Sequence, residues 1–166
     1  MCISHLGQII YGSIAVVILA SFCTAIVLDD WVEYRGDRFG YTTECSKIDS
    51  DYCGIWKVVT EKIRGYVLVL LGLTVAIKVG AVIYNFTTFF CICCRSFFLL
   101  PLVALGLASV LTAGPLVYLT HSDFMQAQRT FSPEDTEYGK SFYIAGGGLI
   151  LAVINLIVSV ATLRST

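Results

Sequence analysis

Hydrophobic positions fall into four long runs, Leu6 to Leu28, Gly65 to Tyr84, Phe97 to Leu119 and Phe142 to Leu163, separated by two polar stretches and one short connector. Each run is 20 to 23 residues long, and a helix rising about 1.5 Å per residue needs roughly 20 to cross the hydrocarbon of a bilayer. The pattern predicts an all-α membrane fold: a four-transmembrane-helix bundle forming one domain over residues 1–166, with outer loops at 29–64 and 120–141. The first run exceeds the roughly 7–15 residues of a cleaved signal core and has no basic leader, so it reads as a retained span.

Between the first two runs the period changes. Trp31, Glu33 and Arg35 alternate with Val32 and Tyr34, Arg35-Gly36-Asp37-Arg38 supplies turn chemistry, and Phe39, Tyr41, Thr43 and Cys45 alternate again. A third segment, Tyr52 to Val59, is rich in aromatic and β-branched residues. Together these predict a small antiparallel sheet on the outer ends of the helices. Cys45 and Cys53 bracket a stretch in which Asp49 and Ser50 favour a turn, and a hairpin there would bring the sulfurs together. Closing so short a loop stabilises by about 2 to 3 kcal/mol; two unpaired thiols are the alternative.

Within the spans, Gly72, Ala76 and Gly80 recur every four residues and form a groove where another helix can sit, with Lys78 roughly opposite. Lys78 either snorkels or finds a polar partner, which includes a contact to a partner membrane protein. On the last run Gly148, Ala152, Asn155 and Ser159 share a face expected to look into the bundle, with Asn155 hydrogen-bonded to a neighbouring helix. The third run is expected to start near Pro101 and to end near Gly114-Pro115 and Tyr118, leaving His121 to Lys140 as a polar loop. The connector from Asn85 to Ser96 carries Cys91, Cys93 and Cys94 beside Arg95, a pattern suited to palmitoylation. Unmodified cysteines are the alternative; three thiols fall short of a tetrahedral zinc site, and no metal is expected. Asn85-Phe86-Thr87 has the letters of a glycosylation acceptor; it goes unmodified if this connector is cytoplasmic, and it lies too close to the membrane in either orientation.

Composition sharpens this picture by exclusion. The chain is 57% hydrophobic and 14% charged, with a net charge of −1. No carboxylate falls within any of the four runs, which argues against a pump or transporter. Its two histidines, His5 and His121, lie on opposite sides of the membrane in this topology, and no phosphate-binding glycine loop is present. No enzyme, cofactor or small-molecule substrate is expected, and no basic stripe points to nucleic acid. Charge leaves orientation open: eight of eleven basic residues lie in the first and third loops, but so do all twelve acidic ones.

The residues resemble the claudin superfamily, nearest its shorter branch of peripheral myelin protein, epithelial membrane protein and lens fibre membrane intrinsic protein. Trp31 after the first span, Gly40 ahead of a cysteine pair at Cys45 and Cys53, and Arg64 before the second span carry the likeness. Thr42 stands where the family's Gly-Leu-Trp has its Trp, while Gly54-Ile55-Trp56 follows the second cysteine instead. The resemblance implies a multi-pass protein of the plasma membrane with both termini cytoplasmic and both long loops outside. It implies a non-catalytic role through contacts in cell adhesion, junctions or membrane organisation. The partners would be membrane lipid and other integral membrane proteins: a second copy, a protein of an apposed cell, or a channel or receptor. Exposed loop aromatics, Phe39, Tyr41, Tyr52 and Trp56, are candidate contact anchors, with burial between sheet and helices the alternative for Trp56 as for Trp31, and Lys78 is a candidate contact within the membrane. An auxiliary subunit of an ion channel or receptor is the alternative; a paracellular cation-selective pore, using Asp37, Glu44, Asp49 and Asp51, is a further one.

Overall fold

A computed structural model describes residues 2–42, 51–89, 95–131 and 134–164. Helix α1 (Cys2–Leu28) leads into strands β1 (Val32–Tyr34) and β2 (Asp37–Phe39); then come α2 (Asp51–Thr60), α3 (Arg64–Phe89), α4 (Arg95–Thr130), β3 (Thr136–Tyr138) and α5 (Lys140–Arg164). Four helices, α1, α3, α4 and α5, are long and apolar enough to cross a membrane, the architecture of a multi-pass membrane protein.

Their packing departs from the usual inside–outside rule. Large side chains such as Val16, Val69, Leu73, Ile83, Leu111, Ile150 and Ile157 point outward, while the interior mixes small and polar residues with a few large apolar ones such as Ile18, Phe22 and Leu71. In α3 the buried positions are Val67, Leu71, Thr74, Lys78, Ala81, Asn85 and Thr88; in α5 they are Ser141, Ala145, Gly148, Ala152, Asn155, Ser159 and Thr162. Both series step alternately by four and three. Gln8, Tyr11, Ala15, Ile18, Phe22 and Ala25 of α1 keep the same rhythm. A sustained 3.5-residue repeat gives left-handed knobs-into-holes packing at a crossing angle of about 20°. Lipid tails are as apolar as leucine, so close approach through small residues and interhelical polar contacts hold the bundle instead. The polar stripe expected on the last span faces the bundle, but Asn155 has no hydrogen-bond partner among the described residues on either side-chain atom.

The Gly72, Ala76 and Gly80 face of α3 lies on the outside of the bundle, and a Cβ added at Gly72 or Gly80 would meet nothing within 4 Å. Lys78, on the opposite face, is 0% exposed and its Nζ has no partner among the described residues; it neither snorkels nor reaches the outer surface. Asn85 sits inside α3, where its Nδ2 donates to the Gln8 carbonyl at 3.3 Å, so the expected connector starts later than Asn85.

Two expectations about the loops are corrected. The segment from Tyr52 to Val59 is not a strand but lies in α2, because Cys53, Trp56 and Thr60 at helical spacing bury one face while Gly54, Lys57 and Val58 stay exposed. The third strand is contributed by the other loop: β1 pairs antiparallel with β2 and, on its other edge, with β3, in the order β2-β1-β3. The third span is also longer than expected. Running from Arg95 to Thr130 through Pro101 and Pro115, α4 has 36 residues, or about 54 Å of helix against a hydrocarbon core of about 30 Å. Its last turns therefore stand beside the sheet.

Candidate functional site

The polar residues beyond the helix ends fold into one cap. Asp29 ends α1 with a left-handed φ of 45°, a conformation that Asp tolerates better than most residues. Its carboxylate then clamps the chain twelve residues on: Tyr41 N–H donates to Oδ1 at 2.8 Å, and Thr42 donates to Oδ2 through its N–H at 2.9 Å and its hydroxyl at 2.6 Å. Between these points β1 and β2 turn through Arg35 and Gly36, both at positive φ (49° and 81°), as a two-residue hairpin of matching twist demands. Val32 pairs with Phe39, Glu33 with Arg38 and Tyr34 with Asp37.

The cap is sewn to the bundle at three places. Asp30 N–H donates to Ser141 Oγ at 2.9 Å and its carbonyl accepts from Ser141 N–H at 2.8 Å, tying the end of α1 to the start of α5. Arg64 Nε–H, at the head of α3, donates to the Tyr41 carbonyl at 2.9 Å. The Tyr41 hydroxyl donates to Asp123 Oδ2 of α4 at 2.6 Å. Burial, with the Asp123 carboxylate alongside, pushes the Tyr41 hydroxyl well above its ordinary range and so keeps it a donor. Asp30 is also buried, and its carboxyl is raised by that burial and by Glu33.

Aromatic rings fill the space beneath. Phe39 and Tyr41 lie 5.7 and 5.9 Å from Trp56, Trp31 lies edge-on to Tyr41 at 5.6 Å, and Phe131 stacks on Tyr34 at 5.0 Å and on Phe39 at 5.8 Å. Trp56 Nε1–H donates to the Gly40 carbonyl at 3.0 Å. A Cβ at Gly40 would overlap the Asp29 carboxylate and main-chain oxygen, so no other residue fits this crossing. On the far side Tyr138 stacks on Phe124 at 3.6 Å and on Phe142 at 4.3 Å.

The sequence-predicted site residues thus converge, but not as surface anchors. Phe39, Tyr41 and Trp56 are fully buried and Tyr52 is half-buried; as the cap's core they are not available to a partner. Trp31, Gly40 and Arg64 meet around the Gly40–Tyr41 crossing. Cys53 is buried and disulfide-bonded. Cys45, Cys91, Cys93 and Cys94 lie outside the described residues, as do Glu44 and Asp49. Sequence reasoning missed the Asp29 clamp, the Tyr41–Asp123 bond and the role of Phe131. A signal existed for α2 in the i, i+3, i+7 spacing of Cys53, Trp56 and Thr60.

What the cap presents outward is the other face of α2 and the adjoining start of α3: Ile55, Lys57, Val58 and Tyr66, of which Val58 is 73% and Tyr66 69% exposed. Among the described residues, no group of three or more His, Cys, Asp or Glu side chains is placed to hold a metal ion. No family model matches the chain, and no curated protein matches it.

Proposed function

We propose that the chain is a claudin-like tetraspan of the plasma membrane that acts without catalysis, through contacts between its cap and other integral membrane proteins in adhesion, junctions or membrane organisation. The cap lies outside the cell and both termini lie in the cytoplasm. The observation that carries this reading is the cap itself: two loops remote in sequence join in one sheet, fixed at three helix ends, with an exposed apolar strip on α2. A surface held this rigidly loses little entropy when a partner docks.

The resemblance gains support from what its motif residues do. Trp31, Gly40 and Arg64 share one structural task, and an indole reaches the Gly40–Tyr41 turn from Trp56 although Thr42 occupies the motif's Trp position. The family's cysteine pair implies Cys45 as the partner of the disulfide-bonded Cys53, and a cystine placed outside the cell suits an oxidising compartment. Palmitoylation at Cys91, Cys93 and Cys94 fits the cytoplasmic side of this topology.

Mild-detergent purification from native membranes, comparing wild type with Val58→Glu, tests the reading. A partner retained by wild type and lost by the variant supports it; no partner in either, together with no enrichment at cell contacts, overturns it. The open Gly72, Ala76 and Gly80 face supports a second reading, an auxiliary subunit packed against a channel or receptor helix. Blocking that face with Ala76→Leu is the matching test: loss of a co-purifying channel there, with the cap variant unaffected, favours this reading over the first.

A further inference from the structure

Three fully buried polar side chains lie at about one depth in the bundle. Lys78 of α3, Ser109 of α4 and Asn155 of α5 are each 0% exposed, and Lys78 Nζ, Ser109 Oγ and both Asn155 side-chain atoms have no hydrogen-bond partner among the described residues. Contacts between helices fix their heights. Gly7 lies against Thr162 and Gly148 against Phe22, which sets Asn155 level with residues 14–15 of α1. Gly106 faces Leu156 and Ser159, which brings Ser109 level with Asn155. Asn85 bonds the Gln8 carbonyl and lies against Gly12, placing Lys78 near residue 17. The three therefore fall within about three residues of axial rise, roughly 4 Å.

The chemistry of this layer is unbalanced. An ammonium offers three N–H donors, the serine one O–H and the asparagine amide two N–H, against few acceptors. No carboxylate lies in any of the four apolar runs, and an unpaired buried charge is among the costliest features a membrane bundle can carry. The missing partner is an acceptor with negative charge, small enough for a closed interior. The geometry points to a small-anion site at the centre of the bundle, in which Lys78 supplies the charge and Ser109 and Asn155 donate hydrogen bonds to a halide. The anion satisfies the donors of the polar layer and ties α3, α4 and α5 together.

The test uses the full chain in lipid nanodiscs, dialysed into gluconate, chloride or bromide at constant ionic strength. In wild type the melting temperature rises with halide concentration, in proportion to its logarithm above the dissociation constant. Lys78→Met abolishes that rise. Ser109→Ala, the mildest change, moves the halide titration to about tenfold higher concentration, the effect of one lost charge-assisted hydrogen bond, and reads out the site even if Lys78→Met does not fold. A wild type that melts at the same temperature in gluconate and bromide at every concentration overturns the proposal, as does a Lys78→Met variant that keeps the whole halide response.

Discussion

Tyr41→Phe removes one hydroxyl and leaves the ring, so its contacts with Trp31 and Trp56 survive while the bond to Asp123 does not. That bond is 2.6 Å long, Asp123 is fully buried, and its other oxygen has no partner among the described residues. A hydrogen bond to a charged group contributes about 1.5–3 kcal/mol, and leaving its buried acceptor bare adds to the loss. The expected cost is therefore about 2–3 kcal/mol. For a chain of this size that corresponds to roughly 4–12 °C in melting temperature, at about 2–4 °C per kcal/mol. The assay is thermal unfolding of purified protein for Tyr41→Phe, Asp123→Leu and the double variant. Because each single change breaks the same bond, the double should cost less than the sum by about 1–2 kcal/mol. Strict additivity, or a Tyr41→Phe variant within about 0.5 kcal/mol of wild type, would refute the claim that this bond pins the cap to α4.

Other changes separate structural from incidental contacts. Gly40→Ala places a methyl on Asp29's main-chain oxygen, which cannot yield, and surface biotinylation should find little of the variant delivered to the plasma membrane. Trp56→Phe keeps an aromatic ring but strips the Gly40 carbonyl of its donor, lowering stability by about 1–3 kcal/mol in the same melting assay. Arg35→Ala breaks an ion pair with Asp135 whose members are both exposed, so melting should be unchanged.

The spans were legible because their signal is length and apolarity, which lipid imposes directly. The inward face of α5 was legible too, since Gly148, Ala152, Asn155 and Ser159 stand out against large neighbours. Residues 52–59 misled because β-branched and aromatic content tracks strand preference only weakly, whereas burial of Cys53, Trp56 and Thr60 together required a helix. Pairing of Thr136–Tyr138 with Val32–Tyr34 crosses some hundred residues, and nothing local to either segment encodes it. Phe39 and Tyr41 read as surface residues for the same reason: their burial depends on Asp123, in the part of α4 extended beyond its apolar run, and on Phe131 just past its end. The Lys78 layer was half visible, as a charge without a counter-charge; only helix register places Ser109 and Asn155 at its depth.

The union of the two loops is tested most directly across the β1–β3 pair. Glu33 lies opposite Glu137, and facing residues of an antiparallel pair have Cα atoms about 4.5–5.5 Å apart, within disulfide reach. Cysteines introduced together as Glu33→Cys and Glu137→Cys should crosslink within a single chain at the cell surface, detected by non-reducing peptide mapping. A surface-expressed double variant whose two new thiols both remain free would contradict the cap as one folded unit.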